Sequence, residues 1–264
     1  MIANVPASYL RMPHVEKGMQ VGLFGGSFNP PHAGHALVAE IALRTLGLDQ
    51  LWWMVTPGNP LKAGKAIKPL AERIDLSEAF AEDPRIKVTA FEASFNVRYT
   101  ADTIALVLSR NPGVDFVWIM GADNLAQFHR WQNWQQIVRS VPIAVVDRPG
   151  STLSLISSKM AKTFDYARIN ERDAAALARL RPPAWTFIQG PRSSMRAWSK
   201  ALAKTDDTKA SVEPGRSTTA MGMVMAISRQ RCQRWNWARL SAPMIQTKCR
   251  SGKAWVKKRM VCQE

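Results

Sequence analysis

The chain has 264 residues, 46 % of them hydrophobic, and a formal net charge of +16. This length is ample for a packed core with an appendage. The first 18 residues lack a long apolar run, and no stretch reaches the roughly eighteen apolar residues that a membrane span needs. We therefore expect neither a secretory signal nor a membrane span, and we expect a cytoplasmic location.

Short apolar runs alternate with helical patterns over residues 19–190, which is typical of an α/β domain with a parallel sheet. We predict strands at 19–24, 51–56, 86–91, 115–120, 141–146 and 185–188, and helices at 36–43, 71–81, 100–108 and 134–138. The expected fold is a Rossmann-like parallel sheet with helices on both faces, preceded by an N-terminal extension over 1–18. Because such sheets bind ligands at the carboxyl ends of their strands, near the switch point, the turns after strands one and four are the candidate site.

The turn after the first strand carries a motif that predicts a phosphate site. It runs from Gly25 and Gly26 through Ser27, Phe28, Asn29, Pro30 and Pro31 to His32, Ala33, Gly34 and His35. The two glycines let the backbone approach a ligand closely, and free N–H groups at the start of the next helix favour an anion. His32 and His35 share a face of the first helical turn and add two imidazole donors.

Two histidines at this spacing could also be half of a metal site. A metal would need further ligands, and His14 and His129 have no obvious reason to converge on the pair. We therefore predict no protein-bound metal and favour the phosphate site.

The segment His32-Ala33-Gly34-His35 resembles the His-x-Gly-His signature of a nucleotidyltransferase superfamily. The longer form Gly-Gly-Ser-Phe-Asn-Pro-Pro-His is similar to bacterial nicotinate-nucleotide adenylyltransferases. The resemblance implies the nucleotidyltransferase fold and transfer of AMP from ATP to nicotinate mononucleotide, with release of pyrophosphate. It also implies a magnesium ion held mainly by the ATP phosphates and water.

A second motif follows the fourth strand, from Gly121 and Asp123 to Trp131 and Trp134. Asp123 could accept hydrogen bonds from sugar hydroxyls or simply cap a helix, and the tryptophans could be core residues. The whole stretch resembles the same family, which implies that Gly121 and Asp123 hold the adenosine. It also implies that Trp131 stacks on the nicotinate ring, a physically sensible pairing of indole with an electron-poor pyridinium.

Two smaller matches lie between these motifs. Lys62, after strand two, could meet a substrate phosphate or be an ordinary solvated lysine. The run Tyr99-Thr100-Ala101-Asp102-Thr103 resembles a family motif in which the Tyr-Thr pair lies against the nicotinate carboxylate. Asp102 or Thr103 could instead be helix-start residues without a ligand. The resemblance thus assigns Asn29, Lys62, Tyr99, Thr100 and Trp131 to the substrate.

The resemblance covers about residues 19–194 and then breaks. The family has a Ser-Ser-Thr-x-x-Arg motif that embraces the ATP phosphates, and here Ser193 and Ser194 arrive without the threonine. Residues 195–264 hold 15 Lys and Arg against 4 Asp and Glu, together with all three cysteines, and their periodicity is weak. This composition suits translation in a shifted reading frame, and we expect a poorly ordered, easily proteolysed tail. A basic extension that binds nucleic acid is the competing interpretation.

The predicted chemistry is adenylyl transfer by positioning and charge stabilisation, with His32 and His35 as catalytic residues. ATP would contact these histidines, the backbone from Gly25 to Phe28, Gly121 with Asp123, and Ser193 with Ser194. Another acceptor, such as phosphopantetheine or a sugar phosphate, is the nearest rival. The alternative from another class is a nucleotide-binding protein with a damaged site and a nucleic-acid-binding tail. The oligomeric state is open.

Overall fold

The computed structural model of the protein describes residues 4–58, 66–147 and 158–190. Within these ranges six strands form one parallel sheet in the order β3-β2-β1-β4-β5-β6. The strands are β1 Gln20–Gly26, β2 Gln50–Val55, β3 Ile86–Thr89, β4 Asp115–Gly121, β5 Ile143–Val146 and β6 Trp185–Ile188. The α-helices are α1 Ala33–Thr45, α2 Leu70–Glu78, α3 Glu92–Phe95, α4 Thr100–Arg110, α5 Ala122–Leu125, α6 Trp134–Ser140 and α7 Lys159–Thr163. Short 3₁₀ segments lie at Phe128–Arg130, Asp165–Ala167 and Glu171–Arg179.

The predicted strands and longer helices are all present, with bounds that agree to within about three residues, the usual scatter of element ends. The central strands are apolar along their whole length because both faces of the sheet are covered; all of Leu51–Val55 is buried. The largest difference from the prediction lies after β3. The strand ends at Thr89 and not at residue 91, and the helix α3 begins at Glu92. The expected Rossmann-like α/β fold is confirmed.

Two hydrophobic cores, one on each face of the sheet, hold the helices. One core contains Val38 and Ile41 of α1, Ile74 of α2 and Leu177 of the last 3₁₀ segment. The other contains residues of α4, α6 and α7, including Ile104, Val107, Ile137, Val138 and Met160. Because helices cover both faces of the sheet, a ligand is expected to bind at the carboxyl ends of the strands.

The order of the sheet reverses between β1 and β4. From β1 the chain continues to β2 and β3 on one side, and it then returns to β4 on the other side. Phe24 pairs with Ile119, so the glycines two residues further on, Gly26 and Gly121, end neighbouring strands at the same level. The two turns that the sequence singled out therefore begin side by side at the switch point.

The N-terminal segment, residues 4–18, lies against the domain. The carbonyl oxygen of Tyr9 accepts hydrogen bonds from Ala90 N (2.7 Å) and Thr89 Oγ1 (3.2 Å), and that of Leu10 accepts one from Ser94 Oγ (2.7 Å). Val5 and Tyr9 pack on one core and Met12 and Val15 on the other. This segment thus binds the end of β3 and the start of α3. Among the described residues, no helix combines the length and apolarity needed to traverse a bilayer.

Candidate active site

The glycines at the end of β1 are required by the side chains beneath them. A Cβ on Gly25 would stand 2.8 Å from Cη2 of Trp118, and one on Gly26 would stand 3.0 Å from the ring of Phe28. Only glycine fits at such distances, because neither ring can move out of the core cheaply. The space that a side chain would need at these two positions is therefore already filled by Trp118 and Phe28.

Phe28 fixes the turn to the core. Its φ is +42°, its ring is buried, and that ring lies 5.4 Å from Phe24, 4.9 Å from His35 and 4.8 Å from Trp53, measured between centroids. A side chain held in this way cannot reach a ligand, so any contact of Phe28 with ATP must come from its backbone. The ring packing compensates for the uncommon backbone conformation.

His32 and His35 are brought together at the start of α1. His32 is the N-cap, and its Nδ1 accepts a hydrogen bond from Gly34 N (3.1 Å), while Nδ1 of His35 accepts one from His32 N (3.2 Å). The rings stack with centroids 3.7 Å apart. Since both Nδ1 atoms are acceptors, the neutral rings carry their hydrogen on Nε2, which makes each Nε2 a donor. Two donors and a helix N-terminus suit a phosphate.

Asn29 is engaged with the chain that leads into α2. Its Nδ2 donates to the carbonyl of Ala66 (3.0 Å), and its Oδ1 accepts from Lys68 N (3.1 Å). The amide thus ties the turn after β1 to residues 66–68.

The turn after β4 reaches the first turn through a tryptophan pair. Trp118 of β4, whose ring lies under Gly25, meets Trp131 edge-on with centroids 6.1 Å apart. Trp131 is half-buried and also contacts Phe128 at 5.1 Å. Asp123 is exposed in the first turn of α5, two residues after Gly121. The two motifs thus share one packed aromatic support.

The start of α4 rests on a buried carboxyl group that the sequence analysis missed. Glu92 of α3 is 7 % exposed and accepts a hydrogen bond from Thr103 Oγ1 (2.7 Å). Thr103 also bonds to the carbonyl of Tyr99, so it supports the helix start instead of a ligand. Burial raises the pKa of Glu92 to about 7, and the Thr103 hydrogen bond partly opposes this. A glutamate within the apolar run Ala90–Ala93 was the available signal.

Tyr99 and Thr100 lie at this supported helix start. Tyr99 is 38 % exposed, and Thr100, the first residue of α4, is half-buried. Lys62, Ser193 and Ser194 lie outside the described residues, as do 195–264. In the described part of the chain no group of three His, Cys, Asp or Glu residues has an arrangement that could hold a metal ion.

Comparison with known proteins gives the family. A model of the cytidylyltransferase-like family matches residues 23–181. Proteins named "Probable nicotinate-nucleotide adenylyltransferase" from Mesorhizobium japonicum and Brucella abortus are 74 % and 68 % identical, over 193 and 192 residues. Each match covers 73 % of this chain and 98 % of the relative. A solved nicotinic acid mononucleotide adenylyltransferase of Plasmodium falciparum, complexed with NaAD, is 14 % identical with a TM-score of 0.49, covering 66 % of this chain and 76 % of that one. On the identity to the bacterial relatives, this chain belongs to the nicotinate-nucleotide adenylyltransferase family.

Proposed function

We propose that this chain transfers the adenylyl group of ATP to nicotinate mononucleotide, giving nicotinate adenine dinucleotide and pyrophosphate. The observation that carries the proposal is the meeting of two turns at the switch point of the sheet. One offers a glycine backbone and the His32–His35 pair, and the other offers Gly121 and Asp123. The names of the close relatives support the choice of acceptor.

In the proposed reaction an oxygen of the mononucleotide phosphate attacks the α-phosphorus of ATP. The new bond forms as the bond from that phosphorus to the pyrophosphate oxygen breaks. The attacking phosphate is already ionised, so no general base is needed. Donors that are fixed before the reaction stabilise the developing negative charge, and we assign this role to His32 Nε2, His35 Nε2 and the N-terminus of α1.

The remaining residues are proposed to hold the two substrates in line. The backbone from Gly25 to Phe28 would hold ATP phosphates, with Ser193 and Ser194, and Gly121 and Asp123 would hold the adenosine. Trp131 would stack on the nicotinate ring, Tyr99 and Thr100 would meet its carboxylate, and Asn29 and Lys62 would face the acceptor phosphate. In group transfers in which the protein forms no covalent bond to the substrate, positioning of this kind supplies much of the rate acceleration.

Magnesium is proposed to arrive with ATP. The described turn presents N–H and imidazole donors, which suit phosphate oxygens better than a cation. Bound to the phosphates and water, Mg²⁺ would neutralise charge on the leaving pyrophosphate. The protein's own part is to place the phosphates that carry the ion.

The direct test is to incubate the protein with ATP, Mg²⁺ and nicotinate mononucleotide and to measure pyrophosphate and the dinucleotide by chromatography. Parallel reactions contain nicotinamide mononucleotide, phosphopantetheine or no acceptor. We expect kcat/KM for the nicotinate substrate to exceed that for the nicotinamide one by tenfold or more, on the order of what a hydrogen-bonded carboxylate contributes. A Trp131→Ala variant should lose most of this activity, whereas Trp134→Phe is the matched aromatic control.

Each outcome has a distinct meaning. Equal use of both mononucleotides would contradict the assignment of Trp131, Tyr99 and Thr100. A preference for phosphopantetheine would overturn the choice of acceptor. Tight ATP binding without pyrophosphate release would favour a nucleotide-binding protein without turnover.

A further inference from the structure

Arg73 of α2 is a buried cation that the site described above does not use. Its side chain is 1 % exposed. Nη1 donates to the carbonyls of Ser27 (2.7 Å) and Thr56 (2.8 Å), Nη2 donates to Pro57 (3.4 Å), and Nε donates to Lys68 (3.0 Å). The guanidinium therefore donates hydrogen bonds to main-chain oxygens from three separate stretches of the chain, at Ser27, at Thr56 and Pro57, and at Lys68.

This arrangement is costly. Removing a cation from water costs several kcal/mol in a folded protein, and burial lowers the pKa of Arg73 from its ordinary value. Among the described residues no carboxylate lies within ion-pair distance of it. Carbonyl dipoles alone offset the desolvation. An apolar side chain could fill the same space but would leave these carbonyls without donors, so packing by itself does not explain an arginine here.

Arg73 joins two turns through its side-chain guanidinium. Ser27 belongs to the turn after β1, and Thr56 and Pro57 directly follow β2. In the described ranges, a main-chain hydrogen bond from Thr56 N to Gly26 O (3.0 Å) also links the starts of these turns. The planar guanidinium bridges them at a fixed spacing, since its donors diverge rigidly from one carbon atom. Asn29 reinforces the junction through Ala66 and Lys68.

We propose that Arg73 is a positioning residue for the transfer reaction: it sets Ser27, in the turn that would hold the ATP phosphates, against Thr56 and Pro57 at the end of β2, and so fixes the ATP-binding turn relative to the rest of the site. The proposal rests on the proposed function of these turns. Each turn has its own local supports, the α1 cap and the strand pairing, so each substrate should still bind when the bridge is weakened. The distance between the reacting atoms would change, and an error of about 1 Å costs on the order of 100-fold in rate.

The test compares Arg73→Lys and Arg73→Met with Arg85→Lys. Arg85 also bonds to a main-chain carbonyl, that of Leu48 (3.5 Å), but at the opposite end of the sheet, which makes it a matched control. For each variant we would measure melting temperature, the Kd of ATP and of nicotinate mononucleotide separately by calorimetry, and kcat per folded molecule. In both Arg73 variants we expect kcat to fall by at least about tenfold while each Kd changes less than about threefold. The Arg85 variant should keep its kcat.

Several results would overturn the proposal. Wild-type kcat per folded molecule in the Arg73 variants would assign the residue to stability alone, and so would failure of both variants to fold. A rise in both Kd values with unchanged kcat would assign it to binding. Absence of transfer by the wild-type protein would instead contradict the proposed function, so the two failures are distinguishable.

Discussion

His32 has two roles that a substitution has to separate. Its imidazole caps α1 through Nδ1 and, as proposed, serves the reaction through Nε2. Replacing a capping side chain by alanine costs about 1 kcal/mol of stability, so an alanine variant changes folding and chemistry together. Asparagine also accepts a hydrogen bond at an N-cap but cannot reproduce the Nε2 donor.

We therefore expect His32→Asn to keep the melting temperature of the wild type and to lower kcat by about 100-fold, as loss of one charge-stabilising donor does. His35→Ala should lower kcat by a similar factor. Steady-state kinetics and thermal unfolding on the same samples measure both effects. Full activity in the asparagine variant would show that His32 is only a helix cap.

Glu92 gives a pH dependence of stability whose sign can be worked out. Burial raises its pKa from the ordinary value of 4.5 to about 7 in the folded protein. The folded state therefore holds the proton more tightly, and the free energy of unfolding falls as the pH rises from about 4.5 to about 7. Below this window the contribution is fully present. The loss amounts to up to about 3 kcal/mol, at roughly 1.4 kcal/mol for each pH unit.

Glu92→Gln should abolish this slope, because glutamine can accept the Thr103 hydrogen bond without ionising. Urea unfolding at pH 5, 6, 7 and 8 measures it, with Glu40→Gln, at an exposed position of α1, as the control. Parallel stability curves for wild type and Glu92→Gln would contradict the assignment of the buried carboxyl.

At the scale of elements, the N-terminal segment and β3 support each other through Thr89. Its hydroxyl lies 3.2 Å from the Tyr9 carbonyl oxygen and 3.0 Å from that of Arg11, and it accepts a hydrogen bond from Phe91 N (3.3 Å). Valine has the same shape without the hydroxyl. Thr89→Val should therefore remove the partner of the buried Phe91 N and the donor to the Arg11 carbonyl, while the Tyr9 carbonyl keeps Ala90 N, and it should cost about 1–3 kcal/mol.

We also expect faster trypsin cleavage after Arg11, because the Arg11 carbonyl loses its hydrogen-bond donor and the N-terminal segment is then held less tightly at this point. Thr186→Val is the control, since Thr186 is also a buried strand threonine that donates to a carbonyl, that of Ile169 (3.2 Å). The control should lose stability without faster cleavage at Arg11. Equal cleavage in both variants would mean that the effect is general destabilisation.

At the scale of the whole molecule, the sequence that follows the last strand differs from the pattern of the family. The Ser-Ser-Thr-x-x-Arg motif that the resemblance implies is incomplete after Ser194, and the relatives of similar sequence account for 73 % of this chain. We predict that a chimera carrying the C-terminal segment of the Mesorhizobium japonicum relative after Arg192 has a higher kcat and a lower KM for ATP.

Kinetics of the chimera, the wild type and a protein truncated after Ser194 measure this effect. If the wild type outperforms both other proteins, residues 195–264 contribute to activity and are no product of a shifted reading frame. Sequencing the DNA across the codons for Ser193 to Ser199 is the independent check.

The strands, the longer helices and the positions of the two main motifs can be predicted from the sequence alone. Apolar runs long enough for buried strands, alternating with helical periodicity, leave few arrangements other than a parallel α/β sheet. Gly25, Gly26 and the His32–His35 spacing mark a strand-to-helix turn without reference to any distant residue. A turn of this kind can be predicted because all the residues that define it are neighbours in the sequence.

The tertiary structure decided which groups support that site. Arg73 lies within a predicted helix and Glu92 directly follows a predicted strand, and their roles arise from partners 46 and 11 residues away in sequence. Trp118 reads as a core residue, yet its ring explains Gly25 and contacts Trp131. Such contacts depend on how the strands and helices pack, because the partners of a buried polar or aromatic group are chosen by the fold and not by its sequence neighbours.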